Sequence, residues 1–239
     1  MNPALNRAPL RAEGVSRSAA AAGSRFTLLV ERFEVVQGSR VAVVGPSGCG
    51  KSTLLALMAL ALRPDAGDVL TLAGVDALAL WRAGRGDALA AQRAGHVGFV
   101  PQTGALLPFL SLRDNIALPQ RILGRPDAAR VVALAECLGI SAILDRMPAA
   151  VSVGQRQRAA VARALAHRPG IVLADEPTAS VHPAQADEIL GLLTRIAAED
   201  GAALVITTHD AARAAAAGYA IAPCRPDADA ARTRFCWPP

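Results

Sequence analysis

The stretch Val41 to Thr53 reads V-A-V-V-G-P-S-G-C-G-K-S-T. Its first four residues, Val41, Ala42, Val43 and Val44, form an apolar run with no polar face, as in a strand covered on both sides of a parallel sheet. At Gly45 the composition changes. Gly45, Gly48 and Gly50 allow positive φ and let successive N–H groups converge, Lys51 adds a compact charge, and Ser52 adds a hydroxyl. The pattern is G-x-x-x-x-G-K-[ST], a phosphate-cradling loop. Leu54, Leu55, Leu57, Met58 and Leu62 then recur at helical spacing. The loop therefore joins a strand to a helix N-terminus, where unpaired N–H groups and the helix dipole favour an anion. Gly45, Pro46, Ser47, Gly48, Cys49, Gly50, Lys51, Ser52 and Thr53 are the expected phosphate-binding residues.

The competing explanation is a glycine-rich turn that carries a lysine by accident. Composition weighs against it: Lys51 is the single lysine among 25 lysines and arginines. A compact ammonium stands at the one place where a fork-shaped guanidinium would not fit inside a phosphate-wrapping loop.

The 239 residues suffice for one large or two small domains. With 52% hydrophobic but only 3% aromatic residues, the core must be built from aliphatic side chains. The net charge of +5 comes from scattered arginines without a basic run, which favours a solvated surface, so no nucleic-acid partner is expected. An acidic partner face or a nearby anionic lipid surface remains compatible with that charge. Cys49, Cys137, Cys224 and Cys236 show no C-x-x-C spacing, and a disulfide at Cys49 would obstruct the loop, so a reducing compartment is expected. No apolar run approaches the ~18 residues of a spanning helix. A membrane role would have to come through a partner.

Along the chain, residues 1–24 are expected to form a loose lead-in with at most one short strand. Phe26 to Val36 reads as an antiparallel-type edge, Asp68 to Gly74 as a short strand pair, and Ala94 to Val100 as a strand finishing at Pro101-Gln102. From about 103 to 168 the character is helical, with segments at Leu110 to Leu123, Ala128 to Leu138 and Val151 to Ala166. Ile171 to Ala174 is a second all-apolar strand, ending in Asp175-Glu176. A helix over Ala184 to Ala198 and a strand over Ala203 to Thr207, ending at Thr208-His209, complete the series. The fold class is α/β: a P-loop nucleotide-binding core with a mainly parallel sheet, an antiparallel β edge and an inserted helical subdomain. Ligands of such sheets gather at the carboxyl ends of the strands, which makes Gly45, Gln102, Asp175, Glu176 and His209 neighbours. Beside a phosphate loop, Asp175 can hold Mg²⁺ opposite Ser52 and Glu176 can polarise a water. His96 and His167, on a strand and a helix end without a second ligand at metal spacing, are assigned structural roles.

From about Phe26 to about Tyr219 the chain resembles the ATP-binding subunit of an ABC transporter. The order of motifs carries the resemblance: the loop Gly45 to Thr53, the strand-end Gln102, V-S-V-G-Q at Val151 to Gln155 against the family's L-S-G-G-Q, I-V-L-A-D-E-P-T at Ile171 to Thr178, and T-T-H-D at Thr207 to Asp210. The resemblance implies one ATP-binding domain over 25–239 and two subunits, as a homodimer or a paired ATPase, burying two ATP molecules head to tail. Lys51 would contact the β- and γ-phosphates, Ser52, Gln102 and Asp175 would serve Mg²⁺, Glu176 the attacking water and His209 the γ-phosphate. Ser152, Gly154 and Gln155 would approach the phosphates of the opposing subunit. Taken singly, Gln102 reads equally as a loop amide, Ser152 as a helix cap and His209 as a surface histidine. The implied partner is an integral membrane transporter subunit, and the implied location is the cytoplasmic face of the inner membrane. Leu106 to Pro119 is similar to the lipoprotein-releasing and macrolide-exporter branch, although its L-x-P-x-x-x-x-x-x-N pattern also occurs in several importers.

Three departures from the family pattern bear on turnover. Val153 replaces the first glycine of the signature, His182 stands where the family has Asp, and the aromatic that stacks on adenine should fall near Ala19, in an alanine run. A nucleotide-binding regulatory subunit with weak hydrolysis is therefore one alternative. The other, a soluble ABC-type ATPase, would carry a long coiled coil or tandem modules, and the chain has neither.

Overall fold

The computed structural model describes residues 9–21, 24–179, 181, 183–227 and 232–238. Two sheets organise it. The first is parallel and contains β3 (Arg40–Val44), β6 (Val97–Val100), β7 (Ile171–Ala174), β8 (Ala203–Thr208) and β9 (Ala220–Pro223), in the order β6-β7-β8-β3-β9. The apolar runs read from the sequence are its inner strands, and their alternate residues enter two different cores. Val41, Val43 and Leu173 pack with α1 (Lys51–Met58) and the second sheet, whereas Ala42, Val172 and Ala174 face the helices on the other side.

Those helices are α4 (Leu112–Ile122), α5 (Ala128–Cys137), α6 (Val153–Leu165) and α7 (Pro183–Glu199). α6 packs against α4, α5 and α7 and also against β6, which ties the helical layer to the sheet. α1 has only eight residues. A helix that short is marginal alone, and the burial of Leu54, Leu55, Leu57 and Met58 holds it. At roughly 1.5–3 kcal/mol per buried side chain, this packing fixes the N-terminus that carries Lys51.

The second sheet runs β10-β11-β2-β1-β4-β5, formed by β1 (Leu10–Ala21), β2 (Ser24–Val35), β4 (Val69–Leu72), β5 (Val75–Asp76), β10 (Arg225–Pro226) and β11 (Arg232–Trp237). It is antiparallel except where β11 runs parallel to β2. Phe33 and Phe235 meet edge to face across that junction, with ring centroids 5.1 Å apart.

The α/β class holds, while several local expectations are corrected. The expected loose lead-in is, over Leu10–Ala21, a 12-residue strand paired with β2 from Leu10↔Val35 to Ala21↔Ser24 and also with β4; residues 1–8 lie outside the description. Arginines and an alanine run give this segment little intrinsic β preference, and pairing on both sides overrides that. The strand expected from Ala94 begins only at Val97, because Gly86–His96 is a helix, α3, which puts His96 on a helix end. α2 (Ala77–Arg82), α8 (Ala211–Ala216) and β9 to β11 had no reading in the sequence.

Parallel pairing aligns the strand ends that matter. Val44 pairs with Thr208, Val100 with Ala174 and Ala174 with Ile206. The segments that follow β3, β6, β7 and β8 therefore emerge at one edge of the sheet.

Candidate functional site

At that edge the phosphate loop leaves β3 and enters α1. Gly48 and Gly50 have φ of +80° and +95°, values that a side chain other than glycine's adopts only with strain. At Gly45 the demand is space: an added Cβ would lie 2.7 Å from the Cys224 carbonyl oxygen and 2.7 Å from the Cys49 sulfur.

Lys51 is 5% exposed, and a buried ammonium must be paired. Its Nζ donates to the Gly45 and Pro46 carbonyls at 2.9 and 3.0 Å and lies 3.4 Å from Glu176 Oε1. Asp175 is also buried, and its Oδ1 accepts a 2.6 Å hydrogen bond from Thr207 Oγ1. The same Thr207 oxygen accepts from the Glu176 N–H at 2.9 Å. One hydroxyl on β8 thus positions both residues that follow β7.

Glu176 has φ +42°. A non-glycine residue in this region costs on the order of 1–3 kcal/mol and persists where its surroundings hold it. The Thr207 hydrogen bond and the Lys51 pair hold it here and turn its carboxylate toward the loop. His209 Nδ1 stands 4.0 Å from Glu176 Oε2 with its side chain 71% exposed.

A cavity of about 300 Å³ is bounded by Phe26, Ser47, Gly48, Gly50, Lys51, Ser52, Thr53, Gln102 and Glu176. Gln102, the loop and Glu176 are thereby together, with Asp175 and His209 adjoining Glu176. Among the described residues no cluster of three or more His, Cys, Asp and Glu forms a metal site. Ser52 and Gln102 line the cavity, and Asp175, which is not part of its lining, precedes Glu176 in the chain and is held by Thr207; their hydroxyl, amide and carboxylate oxygens are hard donors of the kind that suits Mg²⁺.

Ser152, Gly154 and Gln155 are not among the residues lining this cavity. They form the start of α6, where Ser152 Oγ accepts from the Gln155 N–H at 3.2 Å and Gln155 Oε1 accepts from the Ser152 N–H at 3.0 Å. This capping box leaves the helix end open to solvent, with Val153 45% exposed. His182 lies outside the described residues.

Two residues at the site escaped the sequence reading. Thr207 has no site role in the sequence, where it ends the strand from Ala203 and opens T-T-H-D; the available signal is a hydroxyl at the end of a buried strand. Phe26 lies opposite Ala19 in the β1–β2 register, and its ring edge meets Gly50, where an added Cβ would be 2.7 Å from Phe26 Cζ. The side chain of Ala19 lies outside the description. The aromatic beside the loop is supplied by the neighbouring strand, a relation visible only through hairpin pairing.

A family model described as ABC transporter matches residues 31–179. The chain belongs to the ABC transporter family. It is 42% identical over 181 residues to the lipoprotein-releasing system ATP-binding protein LolD of Novosphingobium aromaticivorans, covering 74% of this chain and 79% of that protein. LolD 1 of Rhodospirillum rubrum is 38% identical over 210 residues, covering 86% and 91%. Among solved structures, the dimeric post-hydrolysis state of the ATP-binding cassette MJ0796 bound to ADP and Pi superimposes with a TM-score of 0.81 at 27% identity, over 94% of this chain and 96% of that one. This ABC chain is an ATP-binding subunit and an ATPase. No helix among its described residues is long and apolar enough to cross a membrane.

Proposed function

We propose that this ATPase works as one of two cassettes that share their ATP sites and drive a lipoprotein-releasing transporter through a separate membrane subunit. The observation that carries the shared site is the separation just described: the loop, Glu176 and Gln102 bound one cavity, while the capped start of α6 is exposed and outside it. An exposed helix N-terminus is an anion site in search of a partner, and the γ-phosphate held on an opposing loop supplies that partner. The lipoprotein substrate rests on the named relatives.

ATP phosphates entering the cavity compete with the Gly45 and Pro46 carbonyls and with Glu176 for Lys51. Once Lys51 turns to the phosphates, Glu176 is released to accept a hydrogen bond from the attacking water. Thr207 keeps the Glu176 backbone in place during the exchange, and His209 stands at the exposed side to meet the γ-phosphate. Mg²⁺, held by Ser52, Gln102 and Asp175, would neutralise charge on the phosphates. Phe26, which lines the cavity, would stack on the nucleotide base. For the membrane subunit we assign the apolar cavity of about 500 Å³ between α3, β6 and α4, where Phe99, Leu107 and Leu118 line the walls and Ile122 is 65% exposed. The subunit would sit peripherally on the cytoplasmic face of the inner membrane.

Two substitutions test this reading. Phe26→Ala should weaken ATP binding about tenfold, within the ~1–3 kcal/mol of base stacking, and leave the affinity for inorganic triphosphate unchanged. Parallel losses for both ligands in equilibrium titrations would remove Phe26 from base contact. Val153 is the first residue of α6 and its side chain is exposed. If it limits approach to the opposing γ-phosphate, Val153→Gly should raise the maximal ATPase rate, tenfold for each ~1.4 kcal/mol recovered. Glycine also loosens a helix by about 1 kcal/mol relative to alanine, but the position at the helix start lessens that cost. Steady-state assays with the membrane partner should show the gain in maximal rate; equal or lower turnover would mean that the valine is accommodated.

A further inference from the structure

Cys49 and Cys224 are 175 residues apart in sequence, and both are free thiols. They meet behind the phosphate loop, where Cys49 is 4% and Cys224 2% exposed. The Cys224 sulfur lies 3.4 Å from the Cys49 carbonyl oxygen. Both side chains crowd the space over Gly45, where a Cβ would be 2.7 Å from Cys49 Sγ and 3.2 Å from Cys224 Cβ. A hydrogen bond between the two thiol side chains, helped by the Lys51 charge, lowers the Cys49 thiol below its usual range, while the same side-chain bond and burial push Cys224 up.

The tethers of the two cysteines differ. The Cys224 N–H donates to the Val44 carbonyl at 2.7 Å, which anchors it to the end of β3. The Cys49 N–H makes a longer bond, 3.4 Å to the Pro46 carbonyl, and Cys49 sits between two glycines of positive φ, residues of wide conformational freedom.

We propose that Cys49 and Cys224 form a reversible disulfide that switches off nucleotide binding, with a hydroperoxide as oxidant. With hydrogen peroxide, the Cys49 thiolate attacks one peroxide oxygen, the O–O bond breaks, the leaving hydroxide takes up the proton released from the thiol and departs as water, and Cys49 becomes a sulfenic acid. Cys224 then attacks that sulfur, the S–S bond forms, and the sulfenic hydroxyl leaves with the Cys224 proton as a second water. Two electrons pass from the sulfur pair to the peroxide. An S–S bond of about 2 Å draws Cys49 toward the anchored Cys224 and takes the loop N–H groups out of convergence. Because ATP holds those groups converged, ATP and the disulfide oppose each other reciprocally.

The inference rests on the loop being the nucleotide site. The ATP affinity of the reduced chain, measured first, separates failure of that site from failure of the switch. The full chain is then exposed to hydrogen peroxide with and without MgATP. Mass spectrometry should find a peptide linking Cys49 to Cys224, ATP affinity should fall by at least about tenfold, dithiothreitol should restore it, and MgATP should slow the linkage. Cys224→Ala should give no linked peptide and keep its ATP affinity through the same exposure. Absence of the linked peptide in the native chain, linkage with unchanged ATP affinity, or an equal loss of affinity in Cys224→Ala would each overturn the proposal.

Discussion

Glu176→Gln should bind ATP as the native chain does and hydrolyse it about 10²–10⁴-fold more slowly, the range a positioned general base contributes. The amide keeps the shape of the carboxylate and can keep the backbone hydrogen bond to Thr207, so the strained φ of +42° and the loop geometry should survive. What it loses is the ability to pull a proton from water and the charge that faces Lys51 at 3.4 Å. Removing that competitor leaves Lys51 freer for phosphate, so ATP affinity should stay level or rise. Single-turnover phosphate release and an ATP titration on the same preparation check both halves. Near-native turnover would take Glu176 out of the role given to it.

Lys51→Ala should cost nucleotide binding itself. The side chain is buried, and no other lysine exists in the chain to replace its charge. Charge-assisted hydrogen bonds are about twice as strong as neutral ones, and in the proposed site the loss would fall on the β- and γ-phosphates together. At about 1.5–3 kcal/mol for a hydrogen bond to a charged group, ATP affinity should fall by one to two orders of magnitude. The substitution also leaves the Gly45 and Pro46 carbonyls and Glu176 without their cation. A thermal melt therefore accompanies the titration, to separate a weakened loop from a weakened fold. Lys51→Arg should fail as well, because a planar guanidinium cannot take the place of a compact ammonium inside the loop. Unchanged ATP affinity in both variants would mean that the loop does not hold phosphate.

The sequence displayed the parts of the site that depend on local chemistry. Four apolar residues before three glycines and a lysine could be read directly, and so could D-E at the end of another apolar run, because strand and loop are adjacent in the chain. What depends on pairing across strands could not be read. Phe26 reaches the loop only through the β1–β2 register, and Thr207 holds Asp175 and Glu176 only because β8 lies beside β7. Cys224 arrives at Cys49 through β9, whose short Ala-Ile-Ala-Pro run gives little signal of its own. β1 is illegible for the same reason: its alanines and arginines become a strand through their neighbours.

The shared site is tested most directly by sedimentation of Glu176→Gln with MgATP. At saturating MgATP this variant should sediment at twice the 24.6 kDa of the single chain, and without nucleotide it should stay at the single-chain mass. Adding Ser152→Glu, which sets a negative charge against the opposing γ-phosphate, should abolish the dimer while leaving ATP binding to the separate chain intact. A Glu176→Gln chain that binds ATP yet remains at the single-chain mass, or a double variant that dimerises equally well, would contradict a site built from two chains.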